Sequence, residues 1–186
     1  MWRGTEVFKQ RAGRYDAWHE KHRAPYASEL MAVQKIGYGG GVEIGVGTGR
    51  FAAPLGLKAG VDPVRETLRL APKTLDLVEG VGGLLPIRDK AYPCALIAAT
   101  LCFVEDPATV LREAARAAES RTYSAERFPW GRLYTELGAR RHPFYSKAKF
   151  YTVAEVVAIT RGLVPSKSPP YTPHPPDLTP RRSQSK

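Results

Sequence analysis

The sequence predicts an α/β sandwich, a mostly parallel sheet with helices on both faces, and three observations carry that prediction. Val42 to Val46 is apolar apart from Glu43 and breaks through Gly45, Gly47 and Gly49 into a helix-forming run that starts at Arg50. Leu57 to Val61 is a second short apolar run, closed by Asp62-Pro63. Ala95 to Leu101 is apolar almost throughout, as a strand covered on both faces requires.

The glycine stretch comes first because the other elements are arranged around it. A strand that ends in glycines and leads into a helix N-terminus brings bare backbone and a positive dipole end to a ligand. A Cβ would block both the turn and the approach. Pro54 is tolerated there only in the first helical turn. Gly47-Thr48-Gly49-Arg50-Phe51-Ala52 fits the loose dinucleotide pattern G-x-G-x-x-G/A. The fuller pattern, Glu43-x-Gly45-x-Gly47-x-Gly49, adds an acid inside the strand. That acid repels a pyrophosphate and suits a ligand bearing an ammonium group. Asp62 stands where this architecture hydrogen-bonds ribose hydroxyls. It follows Gly49 by 13 residues, a short gap for the dinucleotide fingerprint, so an NAD(P)-dependent oxidoreductase is disfavoured. An Asp-Pro pair also begins turns and caps helices.

On these residues the sequence resembles the class I S-adenosylmethionine-dependent methyltransferases, in their small type 11 branch. The resemblance runs from about Tyr15 to Val157 and is strongest from Val42 to Asp106. It implies a Rossmann-like fold, S-adenosylmethionine as cofactor, and methyl transfer to an acceptor. It implies that Glu43 sits near the cofactor's ammonium group, that Gly45, Gly47 and Gly49 line its methionine arm, and that Asp62 holds the ribose hydroxyls. The Tyr-Asp-x-Trp run at Tyr15 resembles the family's N-terminal segment and counts Tyr15 among the cofactor residues. Gly80 to Pro86 resembles the family's loop after the third strand, with Val81 where an adenine-binding acid is usual. Gly80 and Val81 are therefore expected to meet the adenine through backbone, together with Gly82. Backbone around Thr100 and Leu101 is expected to face the methionine moiety.

The remaining elements follow in order. Residues 5 to 35 read as helical in two sections broken near Ala24-Pro25, with Tyr15, Trp18, His22 and Tyr26 on one face. That face suits either packing on the domain or a lid over the pocket. His19 and His22 have no third ligand in view, so no metal site is expected. Pro63 to Leu70 reads as a helix and Leu75 to Glu79 as the third strand. Pro93, which replaces the family's strand-opening Asp, fits a strand start. Asp106 caps a helix with Pro107 at its first position and an apolar face of Leu111, Ala114, Ala115 and Ala118.

After this helix the family's turn glycines and fifth strand have no visible counterpart. Ala117 to Arg127 reads as helix or loop. The sheet is thus expected to stop at four strands, in the order 3-2-1-4, with the open edge of the fourth covered by a homodimer or by the 117–127 segment. Family-like sequence returns at Trp130 to Tyr134 and His142 to Tyr151. Thr152 then caps a helix to about Arg161, with Glu155 at the capping-box position. Gly162 to Lys186, where the family has a final hairpin, holds seven Pro in 25 residues and reads as a disordered tail. Three parts result: a helical lid (1–37), a cofactor-binding domain (38–163) and a Pro-rich basic tail (164–186).

Composition bounds the rest. With 186 residues, 43% of them hydrophobic, the chain suits one domain with its own core. It has no apolar run of transmembrane length and no signal-peptide pattern, so a cytoplasmic protein without membrane contact is expected. Two cysteines, Cys94 and Cys102, point to reduced thiols. The absence of Asn and the three Gln point weakly to a thermophilic source.

Residues 120–186 hold 12 Lys or Arg against four Asp or Glu, a balance of +8, while residues 38–119 hold nine against ten. The basic third would attract nucleic acid or simply be solvated. The expected function is methyl transfer to an unidentified small-molecule acceptor. The alternative is a catalytically inactive relative acting as a basic binding module. No catalytic residue is assigned; His22, Tyr26, His142 and Tyr145 qualify as bases by residue type alone.

Overall fold

The computed structural model describes residues 2–34, 39–125 and 142–161. Two helices, α1 (Thr5–Lys21) and α2 (Arg23–Gln34), precede a sheet of β1 (Val42–Ile44), β2 (Ala59–Asp62), β3 (Asp76–Glu79), β4 (Tyr92–Ala98) and β5 (Ala118–Ala125). The spatial order is β3-β2-β1-β4-β5, and every neighbouring pair is parallel. Short α3 (Arg65–Leu68) follows β2, α4 (Pro107–Ala117) joins β4 to β5, and α5 (Val153–Arg161) follows the sheet in sequence. This is the Rossmann-like α/β fold expected from the strand and glycine pattern.

Both faces of the sheet are covered. Side chains alternate across a strand, so Ile97 packs on one face with Val42, Ile44, Leu111 and Ala114, while Leu96 packs on the other with Val46, Leu57 and Phe51. α4 closes the first face through Val110, Leu111, Ala114 and Ala117, joined by Val156 and Ile159 of α5. Val33 and Leu30 of α2 close the second. The expected stripe on α4 is corrected at two positions: Ala115 is exposed and Ala118 already belongs to β5.

The main correction concerns the fifth strand, which is present. Ala118 follows the last residue of α4 directly, and β5 pairs with β4 from Tyr92↔Ala118 to Ala98↔Ala125. A ladder of backbone bonds to β4 holds it, so neither turn glycines nor a β-branched run is needed. The β4 edge is therefore covered within the chain, which removes the ground for a homodimer across it. Pro93 lies inside β4 rather than at its start. The register shifts between Tyr92 and Cys94, and the Pro93 carbonyl accepts a bond from Ser120 Oγ at 2.8 Å. A bulge is where a strand tolerates a residue without an N–H.

Three other segments differ in extent. Residues 50–56 form successive turns instead of a helix, because Pro54 and Gly56, at φ 71°, interrupt the ladder. The helix expected over 63–70 is reduced to α3. The break between α1 and α2 falls at His22, which leaves Pro25 in the first turn of α2. At α5 the capping box is formed: Thr152 N donates to Glu155 Oε2 at 2.7 Å and Glu155 N to Thr152 Oγ1 at 3.2 Å. The Trp130–Tyr134 run, the tail over 164–186 and the boundary at 37/38 lie outside the described residues. No helix among the described residues is long and apolar enough to cross a membrane.

Candidate functional site

β1 ends at the centre of the sheet, and the chain turns there through left-handed glycines. Gly45 has φ 78°, and a Cβ on it would lie 2.3 Å from Thr100 Oγ1, so the strand end and the segment after β4 touch only because this residue lacks a side chain. Gly47, at φ 54°, faces open space as far as Tyr15, 3.8 Å from where a Cβ would stand. The turn is tied to β2: Gly45 N and Val46 N both donate to the Val61 carbonyl, at 2.7 and 3.1 Å.

Asp62 holds the turn from the other side. Its Oδ2 accepts from Gly47 N at 2.9 Å, and its Oδ1 accepts from Val64 N at 2.8 Å and Thr67 Oγ1 at 3.3 Å. Burial pushes its carboxyl up to about 6 despite those three donors. Glu43 lies beneath the turn, 1% exposed. Burial drives it well above the usual carboxylate range, only partly offset by the Ala52 backbone, and the Asp62 charge adds to the rise. Its Oε2 has no hydrogen-bond partner among the described residues. Glu43 in β1 and Asp62 at the end of β2 are two buried acids that a nearby cation would stabilise, though only Asp62 lines the adjoining cleft.

After β4, Ala99 takes φ 49°, an uncommon conformation for a residue with a Cβ. Thr100 Oγ1 then donates to the Ala98 carbonyl at 2.8 Å. Gly45, Gly47, Asp62, Thr100 and, from α1, Tyr15 line one cleft. Among the lining residues that sequence reasoning missed are three aromatics, Trp2, Phe8 and Phe103. Phe8 stands edge-on to both Tyr15 and Phe103, with centroids 5.2 and 5.1 Å apart. Trp2 reaches the cleft because it forms a bridge with Val104 and Arg3 N donates to the Phe103 carbonyl at 2.6 Å. An N-terminal Trp-Arg gave no signal of this, since the pairing is with residues a hundred positions away.

The other expected site residues lie elsewhere. Gly80 and Val81 line a second, open cleft with Pro63 and Arg65. Gly49 faces Pro72 and Leu75, away from the first cleft, and Leu101 is fully buried in the core. Neither lines it.

A third cleft shares Tyr15 with the first. Trp18, His22, His142 and Tyr145 contribute to it, which brings together three of the four base candidates. Tyr26, the fourth, donates its hydroxyl to the Arg50 carbonyl at 2.5 Å. His22 stacks on Trp18 (4.7 Å, 20°) and its Nδ1 lies 2.9 Å from the Trp18 carbonyl. Arg50 fixes α1 over the turn through Asp16 Oδ1 and Oδ2, both at 2.7 Å, and Glu20 Oε1 at 2.6 Å. Burial raises Asp16, but the bonded Arg50 guanidinium outweighs it and holds the carboxyl low.

The residues present fit the expected cofactor: a bare-backbone cradle at Gly45 and Gly47, a buried acid with an unpartnered oxygen, and an acid at the end of β2. No group of three or more potential metal ligands occurs among the described residues.

Comparison with known proteins follows the same lines. A family model described as a methyltransferase domain matches residues 42–123. A Thermotoga maritima crystal structure, described as an S-adenosylmethionine-dependent methyltransferase and possible histamine N-methyltransferase, is 35% identical. It superposes with a TM-score of 0.78 over 85% of this chain and 79% of that one. A methyltransferase-like chain from Haloferax volcanii, in complex with a methyltransferase activator, shares the fold at 18% identity and a TM-score of 0.67, over 84% and 75% of the two chains. An uncharacterised Mycobacterium tuberculosis protein is 38% identical over 156 residues, which are 78% of this chain and 55% of the relative, so the chain spans about half of that protein's length.

Proposed function

Because the chain belongs to the class I S-adenosylmethionine-dependent methyltransferases, with that molecule as cofactor, we propose that it transfers a methyl group to a small-molecule acceptor. The observation that carries the reading is convergence. Gly45 and Gly47 after β1, Asp62 at the end of β2, Thr100 after β4 and Tyr15 from α1 meet in one cleft, and an aromatic cleft shares Tyr15 with it. When bound, S-adenosylmethionine supplies a sulfonium methyl that an acceptor takes by in-line displacement.

The chain's own work is to hold, orient and exclude water. Glu43 supports the cofactor's ammonium end from beneath the turn, its charge compensated once a cation is near. Asp62 meets the ribose hydroxyls, and the Gly80–Val81 backbone meets the adenine. Tyr15 borders both clefts, where acceptor and cofactor would meet, and α1 and α2 act as a lid pinned by Arg50. Where the acceptor releases a proton, His22 is placed to take it. A backbone carbonyl only accepts, so its Nδ1 carries the hydrogen toward Trp18 and its Nε2 keeps the lone pair. The buried thiols of Cys94 and Cys102 support a reducing cytoplasm as the compartment.

Calorimetric titration with S-adenosylmethionine and S-adenosylhomocysteine tests the reading, with Glu43→Ala, Asp62→Ala as the control. Micromolar binding that the double variant loses is the expected result. A folded protein that binds neither compound overturns it.

A further inference from the structure

The third cleft carries an inference about the acceptor, and it rests on the function proposed above. Its walls are planar: the stacked pair Trp18 and His22 on one side, and His142 and Tyr145, with ring centroids 4.9 Å apart, on the other. Planar, rigid walls select flat molecules, through stacking at low entropic cost. Its charge has one sign. Arg14 and Lys21 contribute to the lining, and no Asp or Glu does among the described residues.

The acids that α1 carries nearby point away from it. Asp16 is held bidentately by Arg50, and Glu20 pairs with Arg50 at 2.6 Å and with Arg23 at 3.6 Å. Arg14 and Lys21 have no such carboxylate partner among the described residues. A cation entering this cleft would meet two like charges with no acid to offset them, whereas an anion would meet two opposite ones.

We infer that the cleft formed by Trp18, His22, His142 and Tyr145 receives a flat aromatic acceptor that carries an acidic group, with Arg14 and Lys21 contacting that group. Tyr15 lines both clefts, so an acceptor held here would reach the bound cofactor past the edge of its ring. The charge set the inference against a cationic amine such as the one named for the Thermotoga relative.

The test uses two phenols of the same ring and opposite charge, 4-hydroxyphenylacetate and tyramine. Each is titrated calorimetrically into the full chain saturated with S-adenosylhomocysteine. The acid is expected to bind at least about tenfold more tightly than the amine, one such factor being about 1.4 kcal/mol. Arg14→Gln, Lys21→Gln should narrow that difference to about twofold or less, with S-adenosylhomocysteine affinity unchanged. Equal or tighter binding of tyramine overturns the inference, and so does binding of neither phenol by the saturated protein. A difference that persists in the double variant also overturns the role of Arg14 and Lys21. Failure of S-adenosylhomocysteine itself to bind is a separate result, and it removes the proposed function with the inference.

Discussion

Asp62 is at once a structural clamp and the end of the cofactor cleft, and its ionisation ties the two roles together. Its carboxyl is raised from 3.8 to about 6 by burial, so the fold favours the protonated form. That contribution is fully present below pH 3.8 and is lost as pH rises through about 6, a change of about 3 kcal/mol. Melting temperatures measured from pH 3.5 to 7.5 should therefore fall less steeply for Asp62→Asn than for the wild type. Parallel curves would show that Asp62 is solvated. Ala99 offers a second test at this scale. With φ 49° it bears a conformational strain that Ala99→Gly relieves, so the variant should match or exceed wild-type stability by up to about 1 kcal/mol in urea unfolding. Ala98→Gly, a residue earlier in β4 and buried, should lose about 1 kcal/mol or more.

Among the elements, α1 depends on a single residue of the glycine turn. Arg50, next to Gly49, carries the bonds to Asp16 and Glu20, and its carbonyl takes the Tyr26 hydroxyl. Arg50→Met leaves Asp16 half-buried without its partner and should cost about 1–2 kcal/mol. Hydrogen exchange should quicken over residues 5–21 while β4 stays protected; uniform quickening would mean that α1 and the sheet unfold together. The elements also show what a sequence makes legible. The glycine turn was readable because its constraint is local: Gly45 and Gly47 need their backbone angles whatever surrounds them. Asp106 with Pro107 and Thr152 with Glu155 were readable for the same reason. β5 was not, because Glu119, Ser120 and Arg121 are exposed and the strand is specified by β4, more than twenty residues away. Trp2 and Phe103 joined the cleft by the same kind of long-range pairing.

For the whole molecule, the cofactor cleft draws on β1, β2, β4 and α1, so its occupation should stabilise the domain as a unit. Saturation with S-adenosylhomocysteine at about 100 times its dissociation constant adds about 2.7 kcal/mol, which raises the melting temperature by about 5–10 °C for a chain of this size. A shift that Glu43→Ala, Asp62→Ala abolishes would tie the stabilisation to this cleft; no shift in the wild type would argue against cofactor binding there. The fold and cofactor class were legible at this scale from the stretch between Val42 and Asp106. The acceptor was not, since the aromatic cleft is assembled from α1 and from residues 142–145, which lie far apart in the sequence.

The stacking of His22 on Trp18 gives the protein an optical signal of its own. An imidazolium lying flat against an indole quenches its emission, whereas a neutral imidazole does so far less. Light emitted by Trp18, one of three tryptophans in the chain, thus depends on that stacking, and a molecule that slides between the rings or delivers a proton to His22 changes the brightness without any added label.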